Sequence, residues 1–326
     1  MTLRTPLCGL LGIEHPVVQG PLGGPWDPSV ELVAAVSNAG GLGSIAAVMK
    51  TPEQLRDEIR RCALLTQGRP FAVNHTRRPF DEEAFRVTLE EQPPVISIAL
   101  GEPGDLVDRA HDAGSVVMLQ ATTVSQALRA ADAGIDVIIA QGTEGGGFSG
   151  NVGTLALVPQ VVDAVAPVPV VAAGGIADGR GLAAALMLGA QGVNMGTRFL
   201  ASTEAAVTDS WKRAIVEAHA EDAVKVELAN QLAPPPTEGG WLTVPRSLRS
   251  RFVDRCIART DSIDQLRAEF ADAMSSGRMH EYLPLAGHSA GLIREVLPAA
   301  EIVNRLVAEA HDALMAATPA AQGVAR

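Results

Sequence analysis

The stretch Pro167–Leu200, PVPVVAAGGIADGRGLAAALMLGAQGVNMGTRFL, decides the fold. VPVVAA (168–173) is a short apolar run that stops at Gly174-Gly175. Asp178 then suits the N-cap of a helix whose inward positions are Leu182, Leu186 and Leu188. Gly189 closes that helix, GVNMG (192–196) is the next strand, and Thr197 sits where another helix begins. Two glycine turns after consecutive parallel strands gather backbone N–H groups at one end of a sheet, which favours an anion. In an eight-stranded α/β barrel, the loops after strands seven and eight commonly hold a phosphate. The stretch therefore predicts the phosphate end of a bound cofactor.

The same alternation extends toward the N-terminus. Apolar strand candidates are PVVQG (16–20), LGSIAAV (42–48), PFAVNH (70–75), PVISIAL (94–100), SVVMLQ (115–120) and DVIIAQ (136–141), each followed by a helical pattern. With 168–173 and 192–196 they make eight near-continuous apolar runs, the signature of an all-parallel sheet covered by helices. An open doubly wound sheet is the alternative, but eight units favour closure into a (β/α)8 TIM barrel. After Leu200 the pattern changes to amphipathic, charged helices interrupted by Pro234-Pro235-Pro236 and Gly239-Gly240. We therefore expect an α/β barrel over 1–202 and 285–318, with a small helical insertion over 203–284 covering the substrate face. A last helix near Leu292–Ala316 should return to the barrel wall.

Composition narrows the functional classes. The chain has 326 residues, 47% hydrophobic and 19% charged, with only seven Phe, three Trp and one Tyr. A formal charge of −11 argues against nucleic acid or an anionic membrane as the main partner. Cys8, Cys62 and Cys256 are scattered without metal spacing, which fits a reducing cytoplasm. No run of about 18 uninterrupted apolar residues suggests a membrane span.

In a barrel the chemistry gathers at the C-terminal strand ends. The polar residues there are Gln19, Asn74, His75, Gln120, Gln141 and Glu144. Amides at several strand ends suit a planar heteroaromatic ring, since each offers a donor and an acceptor. They are poor ligands for transition metals, and no metal is expected. The glycine loop GGGFSG (145–150) leaves room for close approach of a ligand. His75 with Arg77 and Arg78 forms a basic cluster able to attract an acidic substrate or a cofactor phosphate.

HPVVQGPLGG, VSNAGGLGSIAA, FAVN, IIAQGTEGGG, the 167–200 stretch and AGHSAGLIREVLPAAEIV together resemble the nitronate monooxygenase (2-nitropropane dioxygenase-like) family, related to flavin-type enoyl-acyl-carrier-protein reductases. The resemblance implies a TIM barrel holding one non-covalent FMN. Its phosphate would lie on Gly174-Gly175 and Gly196-Thr197, beside Ala173. Gly20, Pro21 and Leu22 would line the ring with Gln19. Asn74 and Gln120 would hydrogen-bond it, with Gln141, Gly146 and Gly147 beneath. The implied activity is oxidation of alkyl nitronates with O2. The alternatives are NAD(P)H-dependent reduction of an enoyl thioester or quinone, or flavin binding with little turnover. A homodimer is allowed.

One departure stands out. Where the family carries a histidine that serves as the proposed base, this chain has Phe148, and a phenyl ring accepts no proton. His75 is the expected substitute, because a neutral imidazole suits proton abstraction near neutral pH. Glu144 is expected to order the loop or, in a dry site, to act as the base. Phe148, Trp26 and His288, the last in AGHSAG, are expected to shape the substrate pocket.

Overall fold

A computed structural model of the protein describes residues 3–23, 30–232, 238–241 and 243–317. Eight strands form one parallel sheet: β1 (Val17–Gln19), β2 (Gly43–Ala46), β3 (Phe71–Thr76), β4 (Val95–Ala99), β5 (Val116–Ala121), β6 (Val137–Gln141), β8 (Val170–Ala173) and β9 (Gly192–Met195). Neighbours follow chain order from β2 to β9, and β9 pairs with β1 through Val17 opposite Val193. The ring closes where Gln19 N donates to Leu42 O at 2.8 Å and Leu42 N to Val17 O at 2.9 Å. The fold is the expected (β/α)8 barrel, and the open-sheet alternative is excluded.

Period-two alternation sorts the strand residues into two layers. Val18, Ala72, Met118, Val137, Ile139 and Val171 pack inside the barrel, whose lower mouth is plugged by Leu7, Cys8 and Leu11 of the helix Pro6–Leu11. Their sequence neighbours Val17, Val117, Leu119, Ile138, Ala140 and Val170 face the surrounding helices. The helices start where the sequence supplies caps. Thr51 and Gln54 form a reciprocal capping box, and Asp178 accepts from the Arg180 and Gly181 backbone N–H groups. The closing helix Ala299–Ala317 buries Ile302, Val303, Leu306, Val307 and Ala310 against the barrel. It lies so close to Gly179 that a Cβ there would collide with the Ala310 backbone.

The insertion, expected to be helical with an irregular excursion near 232–246, also contains strands. It carries the helices Asp209–Glu217, Arg251–Ala258 and Ile263–Ser275, but also β10 (Ala223–Lys225) and β11 (Val244–Leu248). These pair antiparallel with each other, and β11 pairs with β7 (Gly147–Ser149) in the glycine loop. Strands of three to five residues carry too little periodicity to be recognised, and they are stabilised by pairing with partners distant in sequence. Lys225 adds to the grip: its Nζ donates to Ser149 O at 2.8 Å and also to Gly150 O.

Among the described residues, no helix is long and apolar enough to cross a membrane, and no cluster of His, Cys, Asp and Glu could hold a metal ion. All three cysteines are buried and free.

Candidate active site

A cavity of about 340 Å³ opens at the C-terminal ends of the barrel strands. On one side lie Gly20, Pro21 and Leu22 after β1, Asn74 of β3, Gln120 of β5 and Gln141 of β6. Opposite are Ala173, Gly174 and Gly175 after β8, with Asn194, Gly196 and Thr197 from β9 and its turn. Gly146, Gly147 and Phe148 form one rim, and an apolar wall of Trp211, Phe270, Met274, Met279 and Leu285 comes mainly from the insertion.

The amides are linked rather than independent. Asn74 Nδ2 donates to Ser97 Oγ at 2.8 Å, which leaves its oxygen as an acceptor. Gln120 Nε2 donates to Gln141 Oε1. The β8 turn has φ of +101° at Gly174 and +75° at Gly175, values that side chains rarely adopt, so both glycines are required by backbone geometry. Glu144 caps the helix Thr154–Val165, accepting from Thr154 N at 2.9 Å, and Thr154 Oγ1 lies 3.0 Å from Gly174 O. That chain of contacts ties the glycine loop to the Gly174-Gly175 turn. The carboxylate of Glu144 is thus committed to ordering the loop. Gly146 also serves packing: a Cβ there would approach the Gly287 backbone N to 2.7 Å.

Three expected site residues lie elsewhere. His75 is 3% exposed and faces the helix layer, because Ala72, Asn74 and Thr76 hold the inward parity of β3. Its Nε2 sits 2.9 Å from Thr88 Oγ1, and its ring meets Phe85 edge-on at 5.1 Å. Burial pushes its pKa down to about 3. It is a neutral packing residue, not the substitute base. Gln19 shares the outward parity of Val17; its oxygen accepts from Ser44 N at 2.9 Å and its amide donates to Gly20 O. His288 stands behind the loop, with its N donating to Glu144 O at 3.0 Å and its Nε2 accepting from Arg246 Nη1 at 2.7 Å. Burial and the Arg246 charge lower its pKa, in keeping with an imidazole that accepts from a guanidinium. Its neighbour Ser289 reaches the cavity instead. Trp26 lies outside the described residues.

Two lining residues carry chemistry that the sequence reading left out of the site. Asn194 Oδ1 is buried with no hydrogen-bond partner among the described residues. Its inward position in GVNMG was a readable signal, being the only polar side chain of that strand. Arg78, seen only as part of a basic cluster, is 5% exposed and is the one ionisable group among the described lining residues. Its Nη1 donates to Asn230 Oδ1 at 2.9 Å, and its guanidinium carbon lies 5.3 Å from the Phe148 ring centroid.

A profile of the family described as nitronate monooxygenase matches residues 4–84 and 75–309. The chain is 44% identical over 227 residues to a (3aS,4S,5R,7aS)-5-hydroxy-7a-methyl-1-oxo-octahydro-1H-indene-4-carboxyl-CoA dehydrogenase of Mycobacterium tuberculosis, covering 69% of this chain and 63% of that protein. The matched stretch is thus under two thirds of that relative's length. A probable nitronate monooxygenase of Staphylococcus saprophyticus is 35% identical over 287 residues, covering 73% of this chain and 79% of its own. Among solved structures, FabK from Thermotoga maritima superposes with a TM-score of 0.86 at 34% identity, over 97% of this chain and 99% of its own. Nitroalkane oxidase from Streptomyces ansochromogenes gives 0.82 at 29%, over 96% and 100%. With the barrel, the paired glycine turns and a family profile spanning nearly the whole chain, the protein belongs to the nitronate monooxygenase family.

Proposed function

We propose that this chain is an FMN-dependent oxidoreductase that reduces an enoyl thioester or quinone carrying a bulky apolar group, with NAD(P)H as electron donor. The observation that carries this is the lining of the cavity. One wall is Trp211, Phe270, Met274, Met279 and Leu285, and no imidazole or carboxylate lines it among the described residues. A wall of that size is wasted on a small nitroalkane, and removing a proton from carbon needs a base that the described lining does not supply. Reduction of a conjugated double bond needs none, since the proton can come from water. The dehydrogenase of M. tuberculosis, by its printed name, acts on a fused-ring acyl-CoA, a substrate class that would fill such a wall.

The residues present fit FMN. Asn194 Oδ1 is buried and unpartnered, Asn74 keeps a free acceptor, and a Cβ on Gly147 would meet nothing within 4 Å. The turns Gly174-Gly175 and Gly196-Thr197 would hold the phosphate. Pro21 and Leu22, with Gly20 and Ala173, would line the ring, and Asn74, Gln120, Gln141, Gly146 and Gly147 would contact it. Thr197 Oγ1 accepts from Gly287 N at 2.9 Å, so its hydroxyl hydrogen remains free to donate to a phosphate oxygen. When bound, FMN supplies two-electron transfer as hydride; the chain's part is to orient the partners and exclude water.

Oxidation of an alkyl nitronate with O2 is the second reading, favoured by the unpaired charge of Arg78. A nitronate arrives already deprotonated and needs no base. The deciding experiment is an absorption spectrum of the purified protein, followed by anaerobic mixing with NADPH or with a nitronate. Bleaching by NADPH and recovery on adding an enoyl thioester or quinone supports the first reading. Bleaching by nitronate alone transfers the conclusion to the second, and a colourless protein removes both.

A further inference from the structure

We propose that Arg78 forms an oxyanion subsite in the cavity, a guanidinium fork for the planar, delocalised oxyanion of a thioester enolate or a nitronate. The inference rests on the oxidoreductase reading above and names the group that would recognise its substrate.

The geometry around Arg78 is that of a cation awaiting a partner. It follows β3 and reaches the cavity with 5% of its surface exposed. Nη1 is spent on Asn230, but Nε and Nη2 are buried and bond to nothing among the described residues. No ion pair engages it there; burial alone pulls its pKa down, with no carboxylate to offset that. A buried, unpaired guanidinium is costly, and such groups persist where a ligand completes them. The Phe148 ring, its centroid 5.3 Å from the guanidinium carbon, is only a weak cation–π partner and does not replace a counter-ion. By the resemblance read from the sequence, Phe148 would stand at the position of the family's proposed base.

The step balances. When hydride derived from NAD(P)H reaches the β-carbon of an enoyl thioester, the π pair moves onto the carbonyl oxygen as an enolate. The Arg78 N–H donors meet that oxygen, water gives the α-carbon its proton, and the saturated thioester and NAD(P)+ result. A nitronate presents the same pair of oxygens already charged. Fork and oxyanion match in shape, and lysine would offer a point charge without the second aligned bond.

The test uses the N-acetylcysteamine thioester of acetoacetate, whose enolate absorbs in the ultraviolet, and sodium nitrate as a nitronate mimic. With the holoprotein, the bound thioester should ionise at a pH at least about one unit below the free compound, a tenfold preference for the enolate. Arg78→Met should remove that displacement and weaken binding of the thioester or of nitrate by about 10- to 100-fold. Arg78→Lys should retain part of both effects, and it carries the test if Arg78→Met does not fold. Preference for the thioester marks the reductase substrate, and preference for nitrate marks the nitronate. Arg78→Met that binds and ionises the ligand like the parent overturns the proposal, as does a parent protein that binds neither probe. If the purified protein carries no flavin, the oxidoreductase reading fails separately, and calorimetric titration with the same probes still decides the role of Arg78.

Discussion

Replacing His75 by leucine should change the pH dependence of stability and leave turnover intact. The imidazole is 3% exposed, and burial moves its pKa from 6.5 to about 3. The folded protein therefore holds this side chain neutral where the unfolded chain would protonate it. Between those two values the unfolded state binds more protons, so stability is full above pH 6.5 and falls as the pH drops toward 3. At pH 4.5 the loss relative to pH 7 amounts to about 2–3 kcal/mol, and moving the folded value by one unit scarcely alters it. Urea unfolding of the parent and of His75→Leu at both pH values isolates this term, because contributions from His15, His288 and the carboxylates are common to both proteins. The parent should lose about 2–3 kcal/mol more than the variant on acidification. At pH 7 the variant should keep kcat within about twofold, since the ring touches Thr88 and Phe85 rather than the cavity. Equal acid sensitivity of the two proteins, or a collapse of kcat in a folded variant, refutes the argument.

Under the proposed FMN site, Gly174→Ala should cost flavin retention, because φ of +101° strains an alanine and its Cβ would sit 2.9 Å from Thr154 Oγ1; a distortion of one or two kcal/mol at this turn should weaken FMN binding by about 5- to 30-fold, measured by titration of the apoprotein with FMN. Glu144→Ala removes the acceptor for Thr154 N and should lower stability by about 1–2 kcal/mol in chemical denaturation, with faster proteolysis of the 145–150 loop. Phe148→His places an imidazole on the cavity rim and should raise turnover of a neutral nitroalkane by about 100-fold relative to its nitronate, measured by oxygen uptake. An unchanged ratio there would show that the position does not reach the substrate's acidic carbon.

Two of the residues that misled the sequence reading, His75 and Gln19, share one cause. Asn74 and His75 are adjacent, as are Val18 and Gln19, and a strand sends neighbours to opposite faces. Once Asn74, Gln120 and Gln141 are placed inward, His75 must face the helices, and Gln19 follows Val17 outward. That parity was legible, but a strand end read as a cluster of polar residues conceals it. Arg78 was not legible in the same way. It lies after the strand, where no period applies, and its burial depends on Asn230 and Phe148, which stand 152 residues away and across the cavity.

Local signals in the chain specify the barrel and its paired glycine turns, because apolar strand runs, helix caps and glycines with positive φ act over a few residues. AAGGIADGRG carries its turn, its Asp178 cap and its close packing within one βα unit. The tertiary structure alone decided what surrounds the ligand. The strand β11 pairs with β7 and in turn with β10, the apolar wall is assembled from residues scattered over 211–285, and the one charge among the described lining residues is defined by what fails to pair with it. Those are long-range facts of desolvation and packing, and no local pattern in the chain encodes them.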